Sequence, residues 1–265
     1  MVVKNTGSRF RRSQPAGTFN IRKIGVADLR DALEQGWEDF KAIPTHAIIL
    51  VVIYPILGLV LARVVHGLAV LPLLFPLAAG FALLGPFAAL GLYHLSKQRE
   101  EGHDPTASDA LGVFKSTSIS PILELGFVLL ILFVTWVAVA QSIYVSSFGP
   151  TPASDIPGFF HQVLTTAPGL KLIVVGCGVG FLFAVVSLCI SVVSFPLLLD
   201  RDANVADAVL TSLRAVAENP ATMAAWGLIV TALLIVGTLP FFLGLTVVIP
   251  VLGHATWHLY RKIVA

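Results

Sequence analysis

Six stretches of this chain carry almost no charge, and each is long enough to cross about 30 Å of hydrocarbon. They run over 47–65, 68–95, 122–145, 172–199, 222–239 and 241–259. In lipid every backbone N–H and C=O must be satisfied within the chain, so apolar runs of this length read as transmembrane helices. Charged residues make up 12% of the chain, against roughly 25% in soluble proteins, and the mean hydropathy is +0.88. A water-soluble globule and a disordered chain are both excluded by that balance. The expected fold is an all-α integral membrane protein with six transmembrane helices. The second and fourth runs are long, so tilt or kinking is expected, with Pro72, Pro76, Pro86 and Pro196 as the kink positions. The last two fit within 38 residues around Pro240; a re-entrant hairpin is the alternative to two full crossings.

Residues 1–20 read as a mobile basic tail and residues 21–265 as one membrane domain. Six crossings put both ends on one side. That side would hold 15 of the 17 Lys and Arg residues, leaving only Arg63 and Lys171 opposite. Basic residues are retained in the cytoplasm, so both the N- and the C-terminus are expected to be cytoplasmic. The first 45 residues are polar and basic with no apolar core of a signal peptide, so the first span is expected to direct insertion. Cys177 and Cys189 share one run and would stand roughly 18 Å apart along a helix, out of disulfide reach. In the loop 148–169, Asp155 is placed to cap a short helix near Pro157.

The apolar pattern also repeats. Before the first span, Leu29, Leu33, Trp37 and Phe40 share one helical face, with Arg30, Glu34, Glu38 and Lys41 on the other side and Pro44 beyond. Val205, Val209, Leu213 and Val216, followed by Pro220, recur in the same register before the fifth span, and Asp31-Ala32 aligns with Asp207-Ala208. A weaker copy, Asp109-Ala110-Leu111, leads to Pro121 before the third. Tyr93-His94-Leu95 after Pro86 matches Trp257-His258-Leu259 after Pro250. Three divergent units are expected, each an amphipathic interfacial helix lying in the headgroup plane followed by two spans.

Gly36-Trp37-Glu38-Asp39, the six spans, and Gly85-Pro86 followed by Tyr93-His94-Leu95 resemble a proteobacterial family of uncharacterised integral membrane proteins, the domain-of-unknown-function family 2189. The likeness covers roughly residues 25–262. Some members of that family are labelled as cytochrome c oxidase subunit I. Such a subunit is similar to a twelve-span protein with histidines deep in its helices, whereas this chain has half the spans. Its histidines His46, His66, His94, His103, His161, His254 and His258 fall near span ends or in loops. These residues therefore do not support the catalysis that the label implies, which leaves an accessory role beside such a complex open.

Candidate chemistry is sparse. His254 and His258 are four apart and share a helix face, the geometry of a metal pair, and His94 holds the equivalent place in the first unit. Interfacial histidines beside Trp are the plainer reading. Glu124 is the acidic residue within a span, and with Gln141 on the same helix it is the candidate for solute or proton transport; the plainer readings are a Glu124 that reaches headgroups or a helix N-terminus and a Gln141 that hydrogen-bonds between helices. Gly176 and Gly180, continued by Ser187 and Ser191, form a small-residue face for helix packing; a dinucleotide fingerprint would need a preceding strand. Asp104, Asp109, Asp200, Asp202 and Asp207 read as loop and cap residues. No hydrolase elbow, zinc-protease signature, paired CxxC or phosphate loop occurs. The expected function is non-enzymatic, as an accessory or assembly component of a membrane complex, with no cofactor. A small-solute transporter and a haem- or metal-binding respiratory accessory protein are the alternatives. Expected partners are the lipid bilayer, anionic lipids at the basic N-terminal segment, and a membrane protein or a second copy, with no nucleic acid.

Overall fold

A computed structural model describes residues 19–43, 68–116, 118–150, 155–240 and 242–265. The first expected span, at 47–65, and nearly all of the basic tail lie outside the described residues. The rest is helical, with no strand among the described residues beyond an isolated antiparallel bridge between Ile21 and Val264.

Helix α1 spans Val26–Ala42, and Asp28 reaches back to the Gly25 N–H at 2.8 Å to satisfy its first turn. The second apolar run is broken. A 3₁₀ turn Leu68–Leu73 leads into α2, Leu74–Phe81; a second 3₁₀ turn Ala82–Leu84 leads into α3, Gly85–Ala88; then α4 follows at Leu90–Glu100. Pro72, Pro76 and Pro86 cannot donate to the helix ladder and clash with the preceding turn, so the expected kinks become alternating 3₁₀ and α segments. A 3₁₀ helix, Ala107–Lys115, is opened by Thr106, whose N–H reaches Asp109 at 2.7 Å. Next comes α5, Ile119–Phe148, the longest unbroken helix described. The Asp155 cap is found: its carboxylate accepts from Gly158 N–H at 2.6 Å and starts α6, Ile156–Thr165. The fourth run divides into α7, Ala167–Ser191, and α8, Ser194–Asp200. The break falls at Val192 and Val193 because the Pro196 ring excludes the carbonyl four residues earlier. Val193 N–H turns to Ser212 Oγ at 3.3 Å. Asn204 caps α9, Val205–Glu218, through Asp207 N–H at 2.8 Å. The last hairpin is α10, Pro220–Thr238, and α11, Leu245–Ile263.

Among the described residues four segments are long and apolar enough to cross a bilayer: Leu71–Glu100, Ile119–Phe148, Ala167–Asp200 and Pro220–Thr238. The final run differs from expectation. Its helix begins and ends four residues later than 241–259 and takes in Arg261 and Lys262, so α11 is not among those four. The turn before it is tight. A Cβ at Gly244 would lie 2.8 Å from Gly237 Cα, and Phe242 takes a left-handed φ of 64°. Large apolar side chains such as Phe127, Ile131, Phe181, Leu182, Leu228 and Val236 stand exposed on α5, α7 and α10. A contiguous surface of that kind needs lipid around it. Cys177 is on that exposed surface and Cys189 is half-buried; both are free.

The interior is built around α4, α8 and α11, which pack on one another. Three surface segments close over them: α1 on α11, the 3₁₀ helix on α4, and α9 on α7 and α8. The expected amphipathic faces are rotated from the contact. In α1 the buried stripe is Leu29, Ala32, Gly36 and Asp39. Leu33 and Phe40 are half-buried, and Trp37 is 45% exposed. In α9 the buried stripe is Ala208, Thr211, Ser212 and Ala215; Val205, Val209 and Val216 are half-buried and Leu213 is exposed. Small side chains win the buried face because they let two backbones come close, and the larger ones are left to the apolar flank. The contact is tightest at Gly36, where a Cβ would lie 2.6 Å from Ala255 N and 2.8 Å from Val251 O. Gly36→Val should therefore push α1 off α11, at a cost of about 1–3 kcal/mol in detergent unfolding of the purified chain. Gly25→Ser, in open space at the start of the same helix, should stay within about 0.5 kcal/mol of the parent.

Candidate functional site

Several of the polar groups that the fold buries, among them Asp39, Ser96 and His254, gather where α1, α4 and α11 pack together. Because Gly36 brings α1 against α11, Asp39, one turn further on, is carried under the helix and left 4% exposed. Its Oδ2 accepts from Ser96 Oγ at 2.6 Å and from His258 Nε2 at 2.8 Å, and its Oδ1 accepts from Arg99. His254, fully buried, places Nδ1 2.7 Å from Ser96 Oγ. Ser96 has a single hydroxyl proton and gives it to Asp39, so His254 Nδ1 supplies the hydrogen in its own bond to Ser96. His254 Nε2 is then left buried without a well-formed hydrogen bond. Burial alone would push the Asp39 carboxyl up, but the hydrogen bonds from His258 and Ser96 outweigh it and hold the carboxyl below its ordinary value.

A second cluster ties the helix ends together. Asp200, closing α8, accepts from Tyr260 Oη at 2.8 Å and from Arg261 at 3.2 Å, and lies 3.3 Å from Lys97 Nζ. Glu100, closing α4, accepts from Trp257 Nε1 and Arg261 Nε, both at 3.0 Å. Lys262 bonds to Asp31 and so joins α11 to α1. Between the clusters is a cavity of about 410 Å³, walled by Glu38 and Asp39 of α1, Arg99 and Glu100 of α4, and Arg261 and Lys262 of α11. On the other side of α1 an apolar groove of about 350 Å³ runs past Leu29, Leu33, Trp37 and Ile229.

Of the residues singled out in the sequence, His254 and His258 do meet, around Asp39. His94 does not join them. It is half-buried against the 3₁₀ helix, where a Cβ at Gly112 would lie 2.9 Å from its Nε2. Among the described residues no group of three or more His, Cys, Asp or Glu side chains has the arrangement of a metal site. Glu124 and Gln141 are both exposed on α5; Glu124 sits 3.4 Å from Ser120 Oγ, and neither residue lines the two cavities. On α7 the small residues differ in what they meet. Gly180 meets the Trp136 ring, Ser187 donates to the Leu83 carbonyl at 3.1 Å, and Ser191 is buried one turn on. A Cβ at Gly176 would touch nothing within 4 Å, so the close approach begins one turn later. Asp39 was missed because the expected face of α1 was drawn through its largest residues, and Ser96 and Arg99 on α4 stand out only as its partners. The 3–4 spacing of Ala32, Gly36 and Asp39 carried the signal.

Apolar helices long enough to cross a bilayer and outward faces that only lipid can cover define an integral membrane protein. A family profile described as "Predicted integral membrane protein (DUF2189)" matches residues 74–200, and the chain is similar to that family over this stretch. The match takes in Gly85-Pro86 and Tyr93-His94-Leu95 and leaves out 36–39 and the last hairpin, so it is narrower than the resemblance read from the sequence. No curated protein and no solved structure matches the chain.

Asp39→Asn keeps the shape of the hub but removes the charge facing Arg99. Hydrogen bonds to charged groups contribute about 1.5–3 kcal/mol, and a loss in that range is expected in detergent unfolding. A carboxyl held below its unfolded value stabilises the fold above that unfolded value and loses the contribution as pH falls through the depressed one. The gap between parent and Asp39→Asn should thus close as pH falls below about 3.9; a gap that widens below that pH contradicts the hub.

Proposed function

We propose that this chain is a six-span protein of a bacterial inner membrane that serves, without catalysing a reaction, as an accessory or assembly component of a membrane complex. The observation that carries this reading is the exposure of Glu124 and Gln141 on the outward side of α5. Polar side chains that face hydrocarbon are costly there and gain most from polar groups on a neighbouring helix. The inward polar groups, by contrast, engage one another: Asp39 with Ser96, His258 and Arg99, and Asp200 with Tyr260, Lys97 and Arg261. A transporter would want those roles reversed.

Topology follows the same reading. The ion-paired ends of α4, α8 and α11 lie on the side rich in Lys and Arg, while Lys171 bonds to the Ser146 carbonyl at the end that carries α6. Retention of basic residues inside assigns the first side to the cytoplasm, with both termini and with anionic lipid near the basic N-terminal segment. The packing of α1 on α11, of the 3₁₀ helix on α4 and of α9 on α7 and α8 supports three duplicated units, each surface segment covering the second span of the unit before it and the first covering the last. Reporter fusions should place residues 1 and 265 in the cytoplasm and the 148–169 loop outside; ends on opposite faces refute the six-span topology.

The assembly role is tested with a photo-reactive residue at position 124 or 141, and at 228 as a control, since Leu228 is 70% exposed on α10. Irradiation in membranes should give an adduct of discrete mass from 124 or 141 and none from 228. A chain that gives no adduct at either position and sediments as a monomer in mild detergent contradicts the reading.

A further inference from the structure

The cavity of about 410 Å³ beneath α1 is separate from the outward face of α5 on which the assembly reading rests. Its charges are balanced: the cations Arg99, Arg261 and Lys262 face the carboxylates Glu38, Asp39 and Glu100. They are not equally occupied. Lys262 is turned to Asp31. Arg99 bonds to Asp39 through Nη1, and Arg261 spends Nε and Nη1 on Glu100 and Asp200. A guanidinium has five N–H donors, and the two side chains are 38% and 37% exposed. Donors therefore remain on two forks that share one cavity, the arrangement that suits a phosphate or carboxylate. Glu38, on the α1 wall, is exposed, and among the described residues it has no ion pair or hydrogen bond.

A purely anionic ligand would meet the unpaired Glu38 carboxylate, and a purely cationic one would meet two guanidinium groups. A ligand with both charges satisfies both walls. The volume falls within the range of about 300–1,000 Å³ typical of small-molecule sites. We propose that this cavity binds a phosphate–ammonium zwitterion, its phosphate toward Arg99 and Arg261 and its ammonium toward Glu38. Phosphoethanolamine carries that chemistry, either free in solution or as the headgroup of a phospholipid.

The full chain, purified in phosphate-free detergent, is titrated calorimetrically with O-phosphoethanolamine, with methyl phosphate and with ethanolamine. It is titrated separately with mixed micelles containing phosphatidylethanolamine or phosphatidylglycerol. Saturable one-to-one binding of the zwitterion is expected, at least tenfold tighter than either half-molecule, and weakened at least tenfold by Glu38→Gln. Binding of the free compound points to a soluble ligand; binding of phosphatidylethanolamine alone, with phosphatidylglycerol inert, points to the lipid, and either result supports the site. Methyl phosphate binding as tightly as the zwitterion overturns the proposal, as does the absence of saturable binding in every arm or an undiminished Glu38→Gln. The comparison of probes on the parent chain stands whatever the variant does to folding. A negative titration leaves the adduct from position 124 or 141 untouched, so the two readings fail separately.

Discussion

A carboxylate can leave water only where the protein replaces its solvation, and Asp39 meets that condition through one close helix contact. Gly36 lets the α1 backbone approach Ala255 and Val251 on α11 closer than any side chain would allow. That approach delivers Asp39 to a hydroxyl, an imidazole and a guanidinium supplied by two other helices. Without the partners the buried charge would be destabilising; without the glycine contact the carboxylate would not reach them. Packing and electrostatics thus depend on the same two helical turns.

The second organising constraint is the bilayer. With apolar side chains exposed along α5, α7 and α10, the outer surface contributes little polarity, and charge is concentrated where α4, α8 and α11 end. There Asp200 and Glu100 draw on Lys97, Tyr260, Trp257 and Arg261 to hold three helix ends together. Each surface segment then covers one of these runs, so the polar end is enclosed between a helical lid and the bundle. The cavity exists because α1, α4 and α11 bring long charged side chains to that boundary, where they cannot pack as densely as the apolar interior.

Much of the helical layout was legible in the sequence because it follows from local rules. Long apolar runs became helices, prolines at 72, 76, 86 and 196 marked breaks, and Asp155 capped the short helix that follows it. The break before Pro196 fell at Val192 and Val193, where a ring that excludes a carbonyl one turn earlier must put it. The family likeness was legible too, though it extends only over 74–200. The site was legible only in fragments. His254 and His258 drew notice as a helical pair, but the residue they surround did not, because Asp39 looks like one more charge on the polar side of α1. The stripe through Ala32, Gly36 and Asp39 outranked the bulkier Leu33, Trp37 and Phe40 for the buried face. Close backbone contact rewards small residues, and a pattern drawn by hydrophobicity overlooks them.

By itself the sequence determined that the chain enters lipid and where its described helices begin and break. Those properties depend on hydrophobic length and on cap and proline chemistry along a single chain. The tertiary structure decided which faces meet, that Gly36 rather than Trp37 touches α11, that His94 is held apart from His254 and His258, and that Glu124 and Gln141 look outward. Each of these depends on the rotation of one helix about its axis relative to another, and that rotation is set by contacts between residues far apart in the chain, as between Asp39 and His258, 219 positions apart.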